Sequence, residues 1–204
     1  DVERSRGLGD VYKRQLQDEN SQKLHYNKCS VIRKKGATVM SHVKTYEFES
    51  YEKAGQTFVI EGPVSKDYLQ TMTFDEGLDA FRIPIAQFEA IQDISTLDEG
   101  RIYIIRKAQH IIGYVTYLYP DPMERWSTGN LPYLLELGAI EISLPYRGLG
   151  LGNALLKVST RSPEFEDYIV ITTEYYWHWD LKNSGLDVFE YKKLMQAMMS
   201  HGGL

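Results

Sequence analysis

The chain has 204 residues, of which 43% are hydrophobic and 25% charged, and this composition excludes an intrinsically disordered protein. Its 23 Lys and Arg residues against 28 Asp and Glu residues give a net charge of −5, which argues against a nucleic-acid binder. No signal sequence opens the chain, and no apolar run approaches the roughly 20 residues of a transmembrane helix, so we expect a cytoplasmic protein with no membrane partner.

The first 39 residues differ in character from the rest. Residues 1–39 are polar and lack a sustained hydrophobic period, and their beginning resembles translated sequencing-adapter read-through. Residues 34–37 can be encoded by a stretch that contains a ribosome-binding sequence shortly before Met40. We therefore expect 1–39 to be a non-native or disordered leader and 40–204 to be the domain. The single cysteine, Cys29, lies in this leader, so we expect neither a disulfide nor a catalytic cysteine.

The first half of the domain predicts one strand, two helices and a β-hairpin. Ser65 suits the N-cap of the first helix, and Pro84 suits the first turn of the second. The dipeptide at 108–109 turns one Ile- and Tyr-rich run back onto another, which predicts an antiparallel pair. The predicted strands are 56–61, 101–107 and 110–119, and the first helix is predicted over 65–74.

The second half predicts a strand, a helix, a strand and a final helix. The strand is predicted over 133–143, and the helix follows it with a single apolar face. The run 168–173 is apolar and β-branched, which predicts a strand covered on both faces. Ser184 and Asp187 predict a capping box for the final helix. The apolar stripe predicted on that helix comprises Val188, Tyr191, Leu194 or Met195, and Met198.

A glycine-rich turn joins the strand at 133–143 to its helix. Glycines at 148, 150 and 152 leave backbone N–H groups open at a helix N-terminus, and Arg147 adds a full positive charge. Such a turn binds phosphate or pyrophosphate. The Gly-Lys-Ser/Thr of a Walker loop is absent, and the glycines do not fit the dinucleotide fingerprint. The remaining pattern, Arg-x-x-Gly-x-Gly, resembles the acetyl-CoA pyrophosphate loop of the GCN5-related N-acetyltransferases (GNAT).

A closer resemblance covers most of the chain from about residue 44 to its end. Four runs, 113–122, 124–126, 136–141 and 173–182, resemble the acetoin-utilisation acetyltransferases of Bacillus-type bacteria. The resemblance implies an α/β (α+β) GNAT fold, a mixed and mostly antiparallel sheet flanked by helices, here without its last strands. It also implies a cytoplasmic protein-lysine acetyltransferase that uses acetyl-CoA and inactivates acetyl-CoA synthetase by acetylating it.

The same resemblance assigns the residues that bind the coenzyme. They lie at the end of the strand, in the turn and in the first turn of the helix. They are Ile142, Arg147, Gly148, Leu149, Gly150, Leu151, Gly152 and Asn153.

Acetyl transfer to lysine requires a base, because the amine is mostly protonated at neutral pH. Glu136 and Glu141 are the candidates on the strand at 133–143. Their odd separation predicts that they point to opposite faces of a regular strand. Glu136 matches the place of the base glutamate in histone-type members of the superfamily and is the favoured candidate, while Glu141 lies nearer the phosphate loop.

An aromatic cluster after the strand at 168–173 holds Tyr175, Tyr176 and His178. They are candidates either for the acid that protonates the leaving thiolate or for holding the target lysine. The histidines show no metal-ligand spacing, so we expect no metal. Two other functions stay open. A small-amine acetyltransferase would have a compact acidic pocket, and a non-catalytic acyl-CoA-binding module would keep the loop without a usable base.

Overall fold

The computed structural model describes residues 42–173, 176 and 179–204, so the predicted leader lies outside the described residues. The strands are β1 (Glu47–Lys53), β2 (Gln56–Gly62), β3 (Thr73–Phe74), β4 (Arg101–Lys107), β5 (His110–Leu118), β6 (Leu134–Ile142) and β7 (Ile169–Ile171). The helices are α1 (Lys66–Leu69), α2 (Pro84–Ile94), α3 (Leu151–Thr160), α4 (Leu181–Ser184) and α5 (Val188–His201). Short 3-10 turns cover Arg125–Gly129, Leu144–Tyr146 and Pro163–Asp167.

The strands form one mixed, mostly antiparallel sheet in the order β1-β2-β4-β5-β6-β7, with the short β3 pairing with β5. The pairs from β1 to β6 along this path are antiparallel, whereas β7 runs parallel to β6. Helix α3 is the crossover that a parallel pair requires. The α/β fold class and the hairpin of β4 and β5 are confirmed.

The hydrophobic core lies between the sheet and α3. Leu151, Leu155 and Val158 of α3 are buried against one face of the sheet, to which Val115 and Tyr117 of β5 contribute. The other face is covered by α2 and the chain before it. There Phe74 stacks on Phe88 of α2, with ring centroids 5.0 Å apart, and lies 5.9 Å from the ring of Tyr114.

A bulge in β6 changes which way its side chains point. Tyr117 of β5 pairs with Leu137, but Thr116 pairs with Ala139, so Gly138 is an extra residue without a partner in β5. Glu136 pairs with Leu118 and Glu141 with Tyr114. Since residues four apart on β5 share a face, the two glutamates also share a face, the one covered by α2. The expectation of opposite faces, which assumed a regular strand, is therefore wrong.

Several predicted elements are shorter than expected or capped differently. Helix α1 ends at Leu69, although its N-cap is Ser65 as predicted, with the Ser65 hydroxyl accepting from the Tyr68 N–H at 3.2 Å. Strand β7 spans three residues and is not covered on both faces, because Ile169 is half exposed and the other two residues are only partly buried. Strands β1 and β3 were not predicted, and β3 lies within the range predicted for the first helix.

The final helix is capped by a different pair of residues. Gly185 adopts a left-handed conformation that ends α4, and Asp187 then caps α5 in a capping box with Glu190, so the box predicted from Ser184 is wrong. The predicted stripe on α5 is only partly packed: Met198 lies against the core, while Val188 and Leu194 are exposed. No helix in the described part of the chain is long and apolar enough to cross a membrane.

Candidate active site

The glycine-rich turn leaves an open approach to the N-terminus of α3. Gly148 and Gly150 both have φ of +77°, a left-handed conformation that residues with a Cβ rarely adopt, and Gly150 is the N-cap of α3. A Cβ at either position would meet no heavy atom within 4 Å. The turn therefore needs glycine for its backbone shape, and the space beside both glycines is open.

The predicted coenzyme residues lie together around this turn. Ile142 ends β6, and its carbonyl accepts from the Arg147 Nε–H at 2.8 Å. Leu149 packs against the core, and the buried Leu151 begins α3. Gly152 and Asn153 follow in the first turn of α3.

The loop before α2 is hydrogen-bonded to the residue that precedes this turn. The buried Ser143, which directly follows β6, donates from its hydroxyl to Asp75 at 2.7 Å. Asp75 also accepts from the Gly77 N–H at 2.8 Å and contacts His110 Nε2 at 3.0 Å. Burial alone would raise the pKa of Asp75, but the hydrogen bonds from Ser143, Gly77 and His110 outweigh burial and lower it. The base of the turn is thus held by a charged, hydrogen-bonded carboxylate.

Strands β6 and β7 part beside the bulge. They pair from Leu134 with Ile169 to Glu136 with Ile171, and in the described residues β6 has no further partner strand on that side. The Thr172 hydroxyl reaches the Leu137 carbonyl at 3.4 Å just past the last pair. Among the described residues, 137–142 therefore present a backbone edge without a partner strand, and this edge leads from Glu136 toward the glycine turn.

Glu136 is a buried carboxylic acid at the point where the strands part. Only 4% of Glu136 is exposed to solvent. Burial, together with the negative charges of Glu124 and Asp121, raises the pKa of Glu136 to about 7, while a hydrogen bond with Thr173 opposes this rise. A pKa near neutrality suits a group that must accept a proton at physiological pH.

Glu141 is equally buried but is fully hydrogen-bonded. Its two carboxylate oxygens accept from the Ala80 N–H at 2.8 Å and from the Tyr114 hydroxyl at 2.8 Å. Burial raises the pKa of Glu141, and these two hydrogen bonds oppose the rise. Because both oxygens are engaged with the neighbouring loop and strand, Glu141 fixes the loop before α2 and is poorly placed to receive a proton from a substrate.

The three candidate proton donors lie after β7. Tyr175 and His178 lie outside the described residues. Tyr176 is 57% exposed, and its carbonyl accepts from the Trp179 N–H at 3.2 Å. In the described part of the chain no three His, Cys, Asp or Glu side chains gather as they would around a metal ion.

Some contacts of the site could not be predicted from the sequence. Asp180 forms an ion pair with Arg147, Thr173 is a hydrogen-bond partner of Glu136, and Asp75 holds Ser143. The two residues of each pair are far apart along the chain, so no local sequence pattern connects them. The bulge at Gly138 offered the one local signal, a glycine inside a strand pattern.

Comparison with known proteins identifies relatives that match most of the chain, although no family model matches. The acetoin utilization protein AcuA of Bacillus subtilis (strain 168) is 54% identical over 165 residues, which are 81% of this chain and 79% of that protein. AcuA of Bacillus licheniformis is 52% identical over 165 residues, with the same shares covered.

A solved structure of an acetoin utilization protein is also similar to this chain in sequence and fold. The crystal structure of an acetoin utilization protein from Exiguobacterium sibiricum 255-15 superposes with a TM-score of 0.76 at 53% identity. The match covers 79% of this chain and 76% of that one.

The raised pKa of Glu136 predicts a pH-dependent effect on stability. The pKa is about 7 in the folded protein against an ordinary 4.5, so the folded state binds this proton more tightly than the unfolded chain does. The free energy of unfolding of the wild type should therefore fall as pH rises between these values. Glu136→Gln should raise Tm relative to wild type at pH 8, by on the order of 5 °C, and much less at pH 5.

The control is Glu89→Gln, which changes an exposed glutamate on α2 and should shift Tm little at either pH. Differential scanning calorimetry at both pH values measures the effect. A Glu136→Gln protein that is destabilised to the same extent at pH 5 and pH 8 would contradict the assigned environment.

Proposed function

The chain belongs to the family of the AcuA acetoin utilization proteins, within the GNAT superfamily of N-acetyltransferases, and from this membership we propose that it acetylates a protein lysine. The acetyl donor in this proposal is acetyl-CoA. The target that we propose is acetyl-CoA synthetase, whose adenylation step acetylation of an active-site lysine would block.

One observation carries the proposal. A buried carboxylate with a pKa near neutrality, Glu136, lies where β6 loses its partner β7, and the open edge of 137–142 leads from it to the turn around Gly150. An extended coenzyme with an anionic end needs these two features, an open edge and an anion site, at a suitable separation. A transferase also needs a base at the opposite end from the anion site.

We assign the steps to groups of this chain as follows. The pyrophosphate of the coenzyme binds the N–H groups of 148–152 at the N-terminus of α3, with Arg147 beside it. The coenzyme lies along the open edge of β6, where a backbone N–H stabilises the charge that develops on the thioester oxygen. Glu136 takes one proton from the lysine ammonium, the neutral amine then bonds to the acetyl carbon, and the nitrogen loses its second proton to solvent. The C–S bond then breaks, and the thiolate takes a proton for which Tyr175, Tyr176 and His178 remain the candidates.

The surroundings of Glu136 favour a cationic acceptor. Glu124 and Asp121 lie close enough to raise its pKa by their negative charge. A lysine approaches as an ammonium, so the same charges attract it, and it must lose a proton to react. A group with a raised pKa beside it can take that proton at neutral pH.

The exposed side chains of the loop between β5 and β6 favour a protein as the acetyl acceptor. The loop between β5 and β6 exposes 92% of Met123 and 47% of Trp126, and the Arg125 guanidinium lies 5.3 Å from the centre of the Trp126 ring. Trp and Arg are the residue types that most often anchor protein interfaces. We propose a docking rim made of the 119–132 loop and the 174–182 segment, of which only residues 176 and 179–182 are described.

The proposed reaction can be tested on the proposed target. Acetyl-CoA synthetase incubated with acetyl-CoA and the protein should gain an acetyl group on an active-site lysine, seen by mass spectrometry. Glu136→Gln should lower the rate by roughly 10²–10⁴, because the amine loses its base. With the wild type, kcat/KM should rise with pH to a plateau with its midpoint near 7, since Glu136 of the free enzyme must be deprotonated to act.

The control is Glu141→Gln, which changes an equally buried glutamate on the same strand and should lower kcat much less. No acetylation of the synthetase would contradict the target. Loss of activity in Glu141→Gln alone, with Glu136→Gln active, would contradict the base.

The glycine turn predicts that a bulky side chain at position 150 prevents coenzyme binding. Gly150→Val should abolish acetyl-CoA binding in isothermal titration calorimetry, because the side chain occupies the space above the N–H groups. Gly55→Val is the matched control: Gly55 has φ of +71° and equally open surroundings, but lies in the turn between β1 and β2. Both variants should lose similar stability from backbone strain, about 1–2 kcal/mol. Unchanged affinity in Gly150→Val would refute this placement of the pyrophosphate.

Trp126 predicts a difference between protein and peptide substrates. Trp126→Ala should raise KM for acetyl-CoA synthetase by about tenfold or more, as an interface anchor does, and leave KM for a short lysine peptide unchanged. Phe189→Ala, at an exposed aromatic residue on α5, is the control and should affect neither substrate. An equal loss on both substrates would place Trp126 in the fold or the coenzyme site.

A further inference from the structure

Arg147 already holds an anion within the protein. Its Nη1 forms an ion pair with the carboxylate of Asp180, while its Nε donates to the Ile142 carbonyl at 2.8 Å. Arg147 and Asp180 are 33 residues apart along the chain, so the pair links the turn after β6 to the start of α4. The two side chains are 36% and 25% exposed, which leaves the pair within reach of a ligand.

Asp180 is also fixed by the helix that it caps. Its carboxylate accepts from the backbone N–H of Asn183 at 3.2 Å and from the Asn183 side-chain amide at 2.9 Å. Burial alone would raise the pKa of Asp180, but the hydrogen bonds from Asn183 and Arg147 outweigh burial and lower it. The group beside Arg147 is thus a full anion at neutral pH, in a defined position.

Two anions cannot both form their strongest hydrogen bonds and ion pair with one guanidinium. A phosphate is bound most strongly by two parallel N–H groups of arginine, and Asp180 already engages Nη1. A pyrophosphate that arrives beside Arg147 would also lie next to the Asp180 carboxylate, and like charges repel in a partly buried site. The incoming anion must therefore displace Asp180 or bind more weakly because of it.

We propose that Asp180 competes with the coenzyme pyrophosphate for Arg147, so that binding of acetyl-CoA releases the start of α4. The inference rests on the proposed function, because it takes Arg147 as a ligand of the pyrophosphate. Asp180 acts here as a residue that sets coenzyme affinity through Arg147, without reacting itself.

The release acts on the segment that we assign to the docking rim. Trp179, next to Asp180, stacks on Tyr191 of α5 with ring centroids 5.3 Å apart, so the start of α4 is also joined to the final helix. A change at Asp180 would therefore reach the rim and α5 together. Coenzyme binding would precede and alter the surface that meets the protein substrate.

The test is the affinity of the full chain for acetyl-CoA, measured by isothermal titration calorimetry. Asp180→Asn removes the charge but keeps the cap, because Asn caps helices about as well as Asp. It should bind acetyl-CoA roughly two- to fivefold more tightly than wild type, the range expected when a partly exposed ion pair no longer competes. Asp187→Asn is the matched control, since Asp187 caps α5 through the Phe189 and Glu190 N–H groups, and it should not change the affinity.

A second readout reports the release itself. Hydrogen exchange at the Ser184 and Gly185 amides, which donate to Asp180 and Leu181 within α4, should become faster when acetyl-CoA is added to the wild type. The effect of Asp180→Asn on affinity should vanish when Arg147→Gln is also present, because the competition needs the cation.

Three results separate the inference from the proposed function. If Arg147→Gln weakens binding but Asp180→Asn weakens it too or leaves it unchanged, the competition is refuted and the coenzyme site stands. If wild type binds no acetyl-CoA, or Arg147→Gln leaves its affinity unchanged, the assigned coenzyme site fails and the inference fails with it. Tighter binding by Asp180→Asn, lost in the double variant, supports both.

Discussion

The extra residue at Gly138 is the constraint on which the geometry of the site depends. In a regular strand Glu136 and Glu141 would point to opposite faces, and one of them would enter the core beside α3. The bulge turns the first part of β6 so that both carboxylates point away from that core. The apolar side chains on the other face, Leu135 and Leu137, can then stay buried in the core. One residue without a partner thus allows a hydrophobic core and a polar site to share a single strand.

Glu136 and Glu141 differ in the hydrogen bonds and the charges that surround their carboxylates. Both belong to residues that are 4% exposed, so burial opposes ionisation of each. Glu141 gains two hydrogen bonds that fix it to Ala80 and Tyr114. For Glu136, burial and the negative charges of Glu124 and Asp121 raise the pKa to about 7, and a single hydrogen bond with Thr173 opposes them. One buried acid therefore holds a loop, while the other has the raised pKa that suits the proton transfer we propose for it.

The sequence predicts the parts of the fold that depend on local pattern. The β4 and β5 hairpin, helix α3 and the glycine turn each follow from neighbouring residues, and the structure contains them. The bulge and the Arg147–Asp180 pair depend on contacts between distant residues, and local patterns do not contain them. The capping box failed for a related reason: the Ser184 pattern fits, but the left-handed Gly185 ends α4 first and leaves Asp187 to cap α5.

We propose that the opening between β6 and β7 seats acetyl-CoA with its reactive end beside Glu136. A crystal structure of the protein with the coenzyme tests it most directly. We expect the pyrophosphate on the N–H groups of 148–152, the rest of the coenzyme along residues 137–142, and the thioester next to the bulge at Gly138. A coenzyme bound on the opposite edge of the sheet, or one whose thioester lies far from Glu136, would contradict it.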